Sequence, residues 1–378
     1  MSKARVVGIK ITRYEITAAK VPLLHTLFGL DRLPLAQSRV EIELDHVSTA
    51  VVNAFRRTLI DEMPGHALKV PKDEMPGHAL KAPSDGFNIT ETTDHFSLPQ
   101  LVENRIACIR LSPQIPPEVI ANLRLKLDVS NGGATPLTVY AGDFQVTAGV
   151  LREPIFNPTT EITVLQPGKR IVIEGIHIST GYGRDNGVYN VACRGAFTHL
   201  DLEQYSDAEM RLEQGVAANW SGYKVSSLLA NPRHHLLSAT LPATTANPAE
   251  TRAVFADACK NIIGRLRVIA TTVERRAEVP SGGFAHHGIQ YTVVDLEAGL
   301  SEGILQAPET HTIGELLRRT IYELTPDIAN VAYTIISHEN RLRLSIRHTE
   351  DVTRILMDAI YYAIATFDAI QDGVTSTL

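Results

Sequence analysis

Phe55-Arg-Arg-Thr-Leu-Ile-Asp-Glu-Met-Pro64 is echoed near the other end of the chain by Leu317-Arg-Arg-Thr-Ile-Tyr-Glu-Leu-Thr-Pro326. In both stretches an apolar residue precedes Arg-Arg-Thr, and a proline follows the threonine six positions on. Around the first copy, Val51, Phe55 and Leu59 recur every four residues, which predicts one buried face of a helix over 50–62. Ser48 or Thr49 supplies a cap, and Pro64-Gly65 ends the helix. Upstream, Val40-Glu-Ile-Glu-Leu44 alternates strictly, as a half-buried strand does, and Val6 to Ile16 reads as a second strand. Around the second copy, a helix opens at Thr310-His-Thr and runs to Leu324. Strands are predicted at Ile289–Leu296, Val331–Ile336 and Arg341–Ile346. The longest helix, Glu350–Gln371, carries Val352, Leu356, Ile360, Ala363, Phe367 and Ile370 on one face.

Working outward, the segment between the copies changes texture. From Asn122 to Leu202, Leu123–Val129, Glu161–Leu165, Ile171–Ile176 and Val188–Cys193 are strand candidates. Turn signals such as Asn131-Gly-Gly and Gln166-Pro-Gly separate them. A helical pattern returns over Pro248–Val273, and the polar, Gly-containing stretch Glu274–Gly288 reads as a linker. The expected fold class is α+β: two related units packed through their helices as an internal pseudo-dimer, with a mostly β insert in the first. The expected division is 1–112 plus 220–273 for the first unit, 113–219 for the insert, 274–288 for the linker and 289–378 for the second unit. Asp61–Lys72 is repeated almost letter for letter as Asp73–Ser84, a tandem duplication too short for a solenoid and expected as an extended surface loop.

The 378 residues carry a net charge of −6 and no evident basic stripe, which argues against a protein that binds nucleic acid alone. Met1-Ser-Lys-Ala-Arg-Val-Val does not read as a signal peptide, so an intracellular protein without a membrane span is expected. No Asp-x-Asp pair, Gly-x-Ser-x-Gly elbow, Walker loop or His-Glu-x-x-His occurs. Gly181-Tyr-Gly-Arg-Asp-Asn-Gly187 has the wrong spacing for a dinucleotide fingerprint and reads as a tight loop between strands. His234-His235 and His286-His287 lack the i, i+4 spacing that aims two imidazoles at one ion, and read as exposed loop residues. Cys108, Cys193 and Cys259 are too scattered for a zinc ribbon, so no metal site or cofactor is expected.

Val52-Asn-Ala-Phe-Arg-Arg-Thr-Leu-Ile-Asp-Glu-Met-Pro64 resembles the "A-N-x-L-R-R-…-E-x-P" helix of the third-largest RNA polymerase II subunit, the archaeal D subunit and, more distantly, the bacterial alpha N-terminal domain. Val102–Leu111 is similar to that family's "hRhxxIPL" strand, and Leu165-Gln-Pro-Gly-Lys-Arg-Ile with Gly181-Tyr-Gly183 to its insert. Glu309-Thr-His-Thr-Ile-Gly-Glu-Leu-Leu-Arg318 resembles the "E-D-H-T-L-G-N-L-L-R" of the eleventh subunit, archaeal L, and Val331-Ala-Tyr333 its "A-G-Y". Glu315 stands where that family usually has Asn. D-like and L-like parts in one chain look like the fused subunit of nucleocytoplasmic large DNA viruses, African swine fever virus in particular.

The resemblance implies a non-catalytic assembly subunit of a viral DNA-directed RNA polymerase. Its implied partners are the largest and second-largest subunits and small zinc-binding subunits. Template DNA is met only through the complex, magnesium is held in the largest subunit, and no membrane is involved. The implied locations are the virion and the viral factory of the host cytoplasm. Expected interface residues are Asn53, Phe55, Arg56, Arg57, Thr58, His311, Thr312, Gly314, Leu317, Arg318 and Arg319. The alternative readings are an alpha-like pseudo-dimeric interaction protein outside transcription and, with the least support, a free-standing enzyme using the insert for binding.

Overall fold

The computed structural model describes residues 4–16, 35–70, 99–150, 155–200, 233–241, 248–277, 284–286, 288–296, 299–336 and 341–376. The chain opens with β1 (Arg5–Ile16) and β2 (Leu35–Asp45), followed by α1 (Thr49–Arg57), which continues as a π-turn over Thr58–Glu62. Next come β3 (Pro64–Lys69), α2 (Pro99–Ala107), α3 (Pro117–Asn122), β4 (Arg124–Ser130), β5 (Leu137–Tyr140) and β6 (Phe144–Ala148). Then follow β7 (Glu161–Leu165), β8 (Arg170–Tyr182), β9 (Cys193–His199), β10 (His235–Leu241) and the long α4 (Pro248–Ala277). The last part holds β11 (Phe284–His286), β12 (Ile289–Asp295), β13 (Ser301–Ala307), α5 (His311–Leu324), β14 (Asn330–Ile336), β15 (Arg341–His348) and α6 (Val352–Ser376). Helix and strand are mixed throughout, in keeping with the α+β expectation.

Two sheets repeat one plan. The first has lateral order β1-β2-β10-β9; the second, past the short edge strand β11, has β12-β13-β15-β14. Along the chain, both follow strand, strand, helix, strand, strand, helix: β1-β2-α1-β9-β10-α4 and β12-β13-α5-β14-β15-α6. Every pairing inside each sheet is antiparallel. The long α4 and α6 pack against each other, and α1 packs on α5. A single apolar cluster runs from Ile42 and Phe55 through Phe255 and Leu317 to Phe367, so the two sheets share one core. The order β3-β8-β4-β6 forms a separate sheet, whose core of Leu125, Ile162 and Ile173 with Ile106 of α2 is its own.

Several elements differ from their sequence reading. β3 hydrogen-bonds to β8 in the interposed sheet, whereas β9 pairs with β10 in the first sheet. Sheet membership therefore divides the chain near Pro64 and Cys193, not at 112/113 and 219/220. Val102–Leu111 is not a strand: most of it lies in α2, whose Val102 and Ile106, four residues apart, fall on one helical face and are buried. Val188–Cys193 is not a strand: it starts in a 3-10 turn at Gly187–Tyr189 and runs irregularly into β9, which begins at Cys193. The second unit gains β13, unseen in the sequence. Its Gly303 weakens the strand pattern, yet a Cβ there would lie 2.8 Å from the Tyr291 hydroxyl and 3.1 Å from Val352. His235 is not a loop residue; it is buried in β10, with Nε2 3.1 Å from the Val47 carbonyl, and His234 Nε2 lies 2.7 Å from Glu43. Of the expected linker, Glu274–Ala277 belongs to α4 and Phe284–His286 to β11; residues 278–283 and 287 lie outside the described residues.

The first copy of the duplicated segment is not a loop. It supplies the end of the π-turn and β3, with Ala67, Leu68 and Val70 buried. The second copy lies outside the described residues. Because the first copy makes the described contacts, excising 73–84 is expected to shift stability by less than about 1 kcal/mol, since loop-closure entropy grows only slowly with length. Thermal unfolding of the excised chain checks this; a fall of ten degrees or more would mean that the second copy bears structure.

Candidate assembly interface

The contact between the two units is built where the end of α1 meets the start of α5. Helix α1 buries Val51, Val52, Ala54 and Phe55. The Phe55 ring is fully buried and meets two others edge-to-face: Phe255 of α4 at 6.0 Å and Phe367 of α6, from the other unit, at 6.4 Å. The helix then widens into the π-turn, and its Leu59 and Ile60 carbonyls accept hydrogen bonds from the backbone N–H groups of Ala192 and Val191 at 3.2 Å each. This turn carries Glu62 into the core.

Glu62 is the hub of a buried polar cluster. Arg265 of α4 donates from Nη1 to its Oε2 at 2.5 Å, while the hydroxyls of Thr310 and Thr312 donate to its Oε1 at 2.8 and 2.5 Å. Arg265 also grips Glu309 through Nε at 2.9 Å and Nη2 at 2.5 Å. Thr310 caps α5, its hydroxyl accepting the Thr312 backbone N–H at 3.3 Å. Burial pushes the Glu62 carboxyl up, but the Arg265 charge and the hydrogen bonds from Thr312, Arg265 and Thr310 outweigh it and hold the group below the usual carboxylate range. Burial pulls the Arg265 guanidinium down, and Glu309 and Glu62 more than reverse this, raising it. Two carboxylates thus share one arginine across α1, α4 and the start of α5.

The two Arg-Arg-Thr stretches sit in matching places with different partners. Arg56 donates from Nε and Nη2 to the Asn53 side-chain oxygen at 3.1 and 3.0 Å. Arg318 makes the equivalent bonds to Glu315, three residues earlier, at 2.8 and 2.7 Å, and Arg319 Nε joins the same carboxylate at 2.9 Å. Thr320 bonds the Leu316 carbonyl at 2.8 Å; Thr58, in the π-turn, is buried with its hydroxyl unpartnered among the described residues. A cleft of about 1140 Å³ opens beside this contact, lined by Arg57, Arg184, His311, Glu315, Arg318 and Tyr333 among others. The His311 and Tyr333 rings meet edge-to-face at 5.8 Å. Among the described residues, no group of three or more His, Cys, Asp or Glu side chains is placed to hold a metal ion, and no helix is long and apolar enough to cross a membrane.

No family model matches the chain. Among curated proteins, the "DNA-directed RNA polymerase RPB3-11 homolog" of African swine fever virus, strain Badajoz 1971 Vero-adapted, is 35% identical over 357 residues, covering 92% of this chain and 91% of its own. Its namesake from a Pretoriuskop tick isolate of the same virus is 34% identical over 357 residues, with the same coverage. The chain belongs to this family of fused RPB3/RPB11-like subunits of viral DNA-directed RNA polymerase.

Within this RPB3/RPB11-like chain, Phe55, Thr58, Thr312, Gly314 and Leu317 are buried where the helices meet, and Asn53, Arg56, Arg57 and Arg318 are half-buried. His311 and Arg319 are exposed. Gly314 is required by close packing: a Cβ would come within 2.6 Å of the Tyr333 ring and 2.7 Å of Leu342. Sequence reading missed Glu62, Arg265, Glu309 and Thr310. Glu62 and Glu309 stand inside the quoted motifs, but nothing local marks Arg265 as their shared partner.

Proposed function

We propose that this RPB3/RPB11-like chain is a non-catalytic assembly subunit, its D-like and L-like units pairing as an internal pseudo-dimer that docks the largest and second-largest polymerase subunits. The observation that supports this most is the repeated six-element plan with matched lateral order, closed over one shared core by α1, α4, α5 and α6. A shared core of this kind resembles an obligate interface cut from a domain interior. The phosphoryl-transfer chemistry, with its template, nucleotide and magnesium, then belongs to the largest subunit. Small zinc-binding subunits complete the platform, which acts in the virion and in the cytoplasm of the infected cell. Asn53, Phe55, Arg56, Arg57, Thr58, His311, Thr312, Gly314, Leu317, Arg318 and Arg319 are the proposed pairing and docking residues.

Co-expression of the tagged chain with the two large subunits tests the reading. Retention of both supports it; a monomer that retains neither favours an interaction protein outside transcription. Arg57→Ala is expected to weaken retention of one large subunit roughly tenfold, the scale of a single interface arginine, and to leave the thermal midpoint of the isolated chain unchanged. A lowered midpoint with undiminished retention would assign Arg57 to the fold.

A further inference from the structure

The two units repeat one backbone plan but not one charge pattern, and a single position accounts for the difference. Asn53 and Glu315 both stand two residues before the apolar residue that precedes Arg-Arg-Thr. Each accepts two hydrogen bonds from the first arginine of its pair. Glu315 is charged, and it binds the second arginine as well, so Arg318 and Arg319 are both engaged by a carboxylate of their own helix. Asn53 is neutral. Its oxygen is taken by Arg56, and among the described residues Arg57 makes no hydrogen bond or ion pair, although its charge acts on Asp61.

Arg57 faces the cleft between the units, where the other charges are already used. Glu309 is held by Arg265, Glu315 by Arg318 and Arg319, and Asp185 lies 3.9 Å from Arg184. A half-buried guanidinium in no ion pair among the described residues, beside two further arginines and the Tyr333 ring, complements an acidic group arriving from outside. Among the described residues of the second unit, both arginines of the matching pair are engaged by Glu315 through i, i+3 and i, i+4 bridges, so neither is left without a carboxylate.

We infer that the Asn53/Glu315 difference sets the polarity of the platform: Asn53 leaves Arg57 free to take a carboxylate-bearing segment of one large polymerase subunit, while Glu315 closes the equivalent arginine pair of the second unit to it. The inference rests on the docking reading above and names the chemistry that distinguishes its two sides. Asn53 is a positioning residue here, acting through Arg57.

The test uses the full chain co-expressed with both large subunits, with retention measured against salt. Asn53→Glu should place a carboxylate three and four residues before Arg56 and Arg57, and lower retention of one large subunit about tenfold while the other stays bound. Asn53→Gln should retain both. In an Arg57→Ala background, Asn53→Glu should add no further loss, because the group it ties up is gone. Glu315→Asn, which frees Arg318 at the cleft, should make retention of the same subunit at least threefold stronger at moderate salt. Undiminished retention by Asn53→Glu, or an equal further loss in the Arg57→Ala background, overturns the inference. If the unmodified chain retains neither large subunit, it is the docking reading that fails.

Discussion

Phe55→Asp is expected to unfold both units together and not the first alone. The ring is fully buried and touches Phe255 in its own unit and Phe367 in the other, so its loss opens a gap on both sides of the contact. Truncating a buried phenylalanine to alanine costs about 3–5 kcal/mol. An aspartate adds a carboxylate with no cation at that point of the cluster, which costs several kcal/mol more. Against a total stability of about 5–15 kcal/mol for a domain, that is enough to lose the fold. Leu317→Asp, also fully buried in the same cluster, should do the same from the other side. Limited proteolysis followed by mass spectrometry reads the outcome: fragments from both units should appear at the same rate in either variant. If Phe55→Asp exposes only the first unit and leaves residues of β12–α6 protected, each apolar residue serves its own core and the shared seam is wrong.

Much of the fold was legible because amphipathic period is a local signal. The alternation of Val40–Leu44, the four-residue recurrence of Val51, Phe55 and Leu59, and the long apolar face of Val352–Ile370 each appear as β2, α1 and α6. What failed was set by packing from elsewhere. β13 was hidden because Gly303, a poor strand residue, is required where Tyr291 and Val352 close over it. The first duplicated copy reads as a loop because a near-exact tandem repeat points to a tolerated insertion. Yet a Cβ at Gly65 would sit 1.9 Å from the Tyr189 carbonyl oxygen, so the glycine permits strand β3 to pass close under that turn. Sheet membership was the least legible feature, since pairing of β3 with β8 and of β9 with β10 is a long-range choice with no local mark. The same holds for the site. Arg-Arg-Thr is visible twice in the sequence, whereas Arg265 is one of several arginines on a long helix and gains its meaning only when Glu62 and Glu309 are brought to it.

That cluster carries the second large effect. Arg265→Met should destabilise the chain by about 3–5 kcal/mol at neutral pH, the cost of leaving buried charge without its partner. Glu62 and Glu309 would then face each other across a dry contact, with only the Thr310 and Thr312 hydroxyls in support. The pH dependence identifies the cause. In the unmodified chain the Glu62 carboxyl lies below its ordinary 4.5, so the stability it contributes is fully present above pH 4.5 and is lost as the pH falls through the lower folded value. Without Arg265, burial and the neighbouring Glu309 carboxylate are opposed only by the two threonine hydroxyls, and the same carboxyl is pushed up. Its folded form then holds a proton that the unfolded chain has released, and stability falls as the pH rises above 4.5. The two chains should therefore differ most near pH 7 and converge toward pH 4 in urea unfolding. Adding Glu62→Gln to Arg265→Met removes one of the stranded charges and should recover part of the loss at pH 7 while changing little at pH 4. A deficit that is the same at both pH values would mean that Arg265 acts through the packing of its aliphatic stem against α1, and the ionic account of the contact would have to be abandoned.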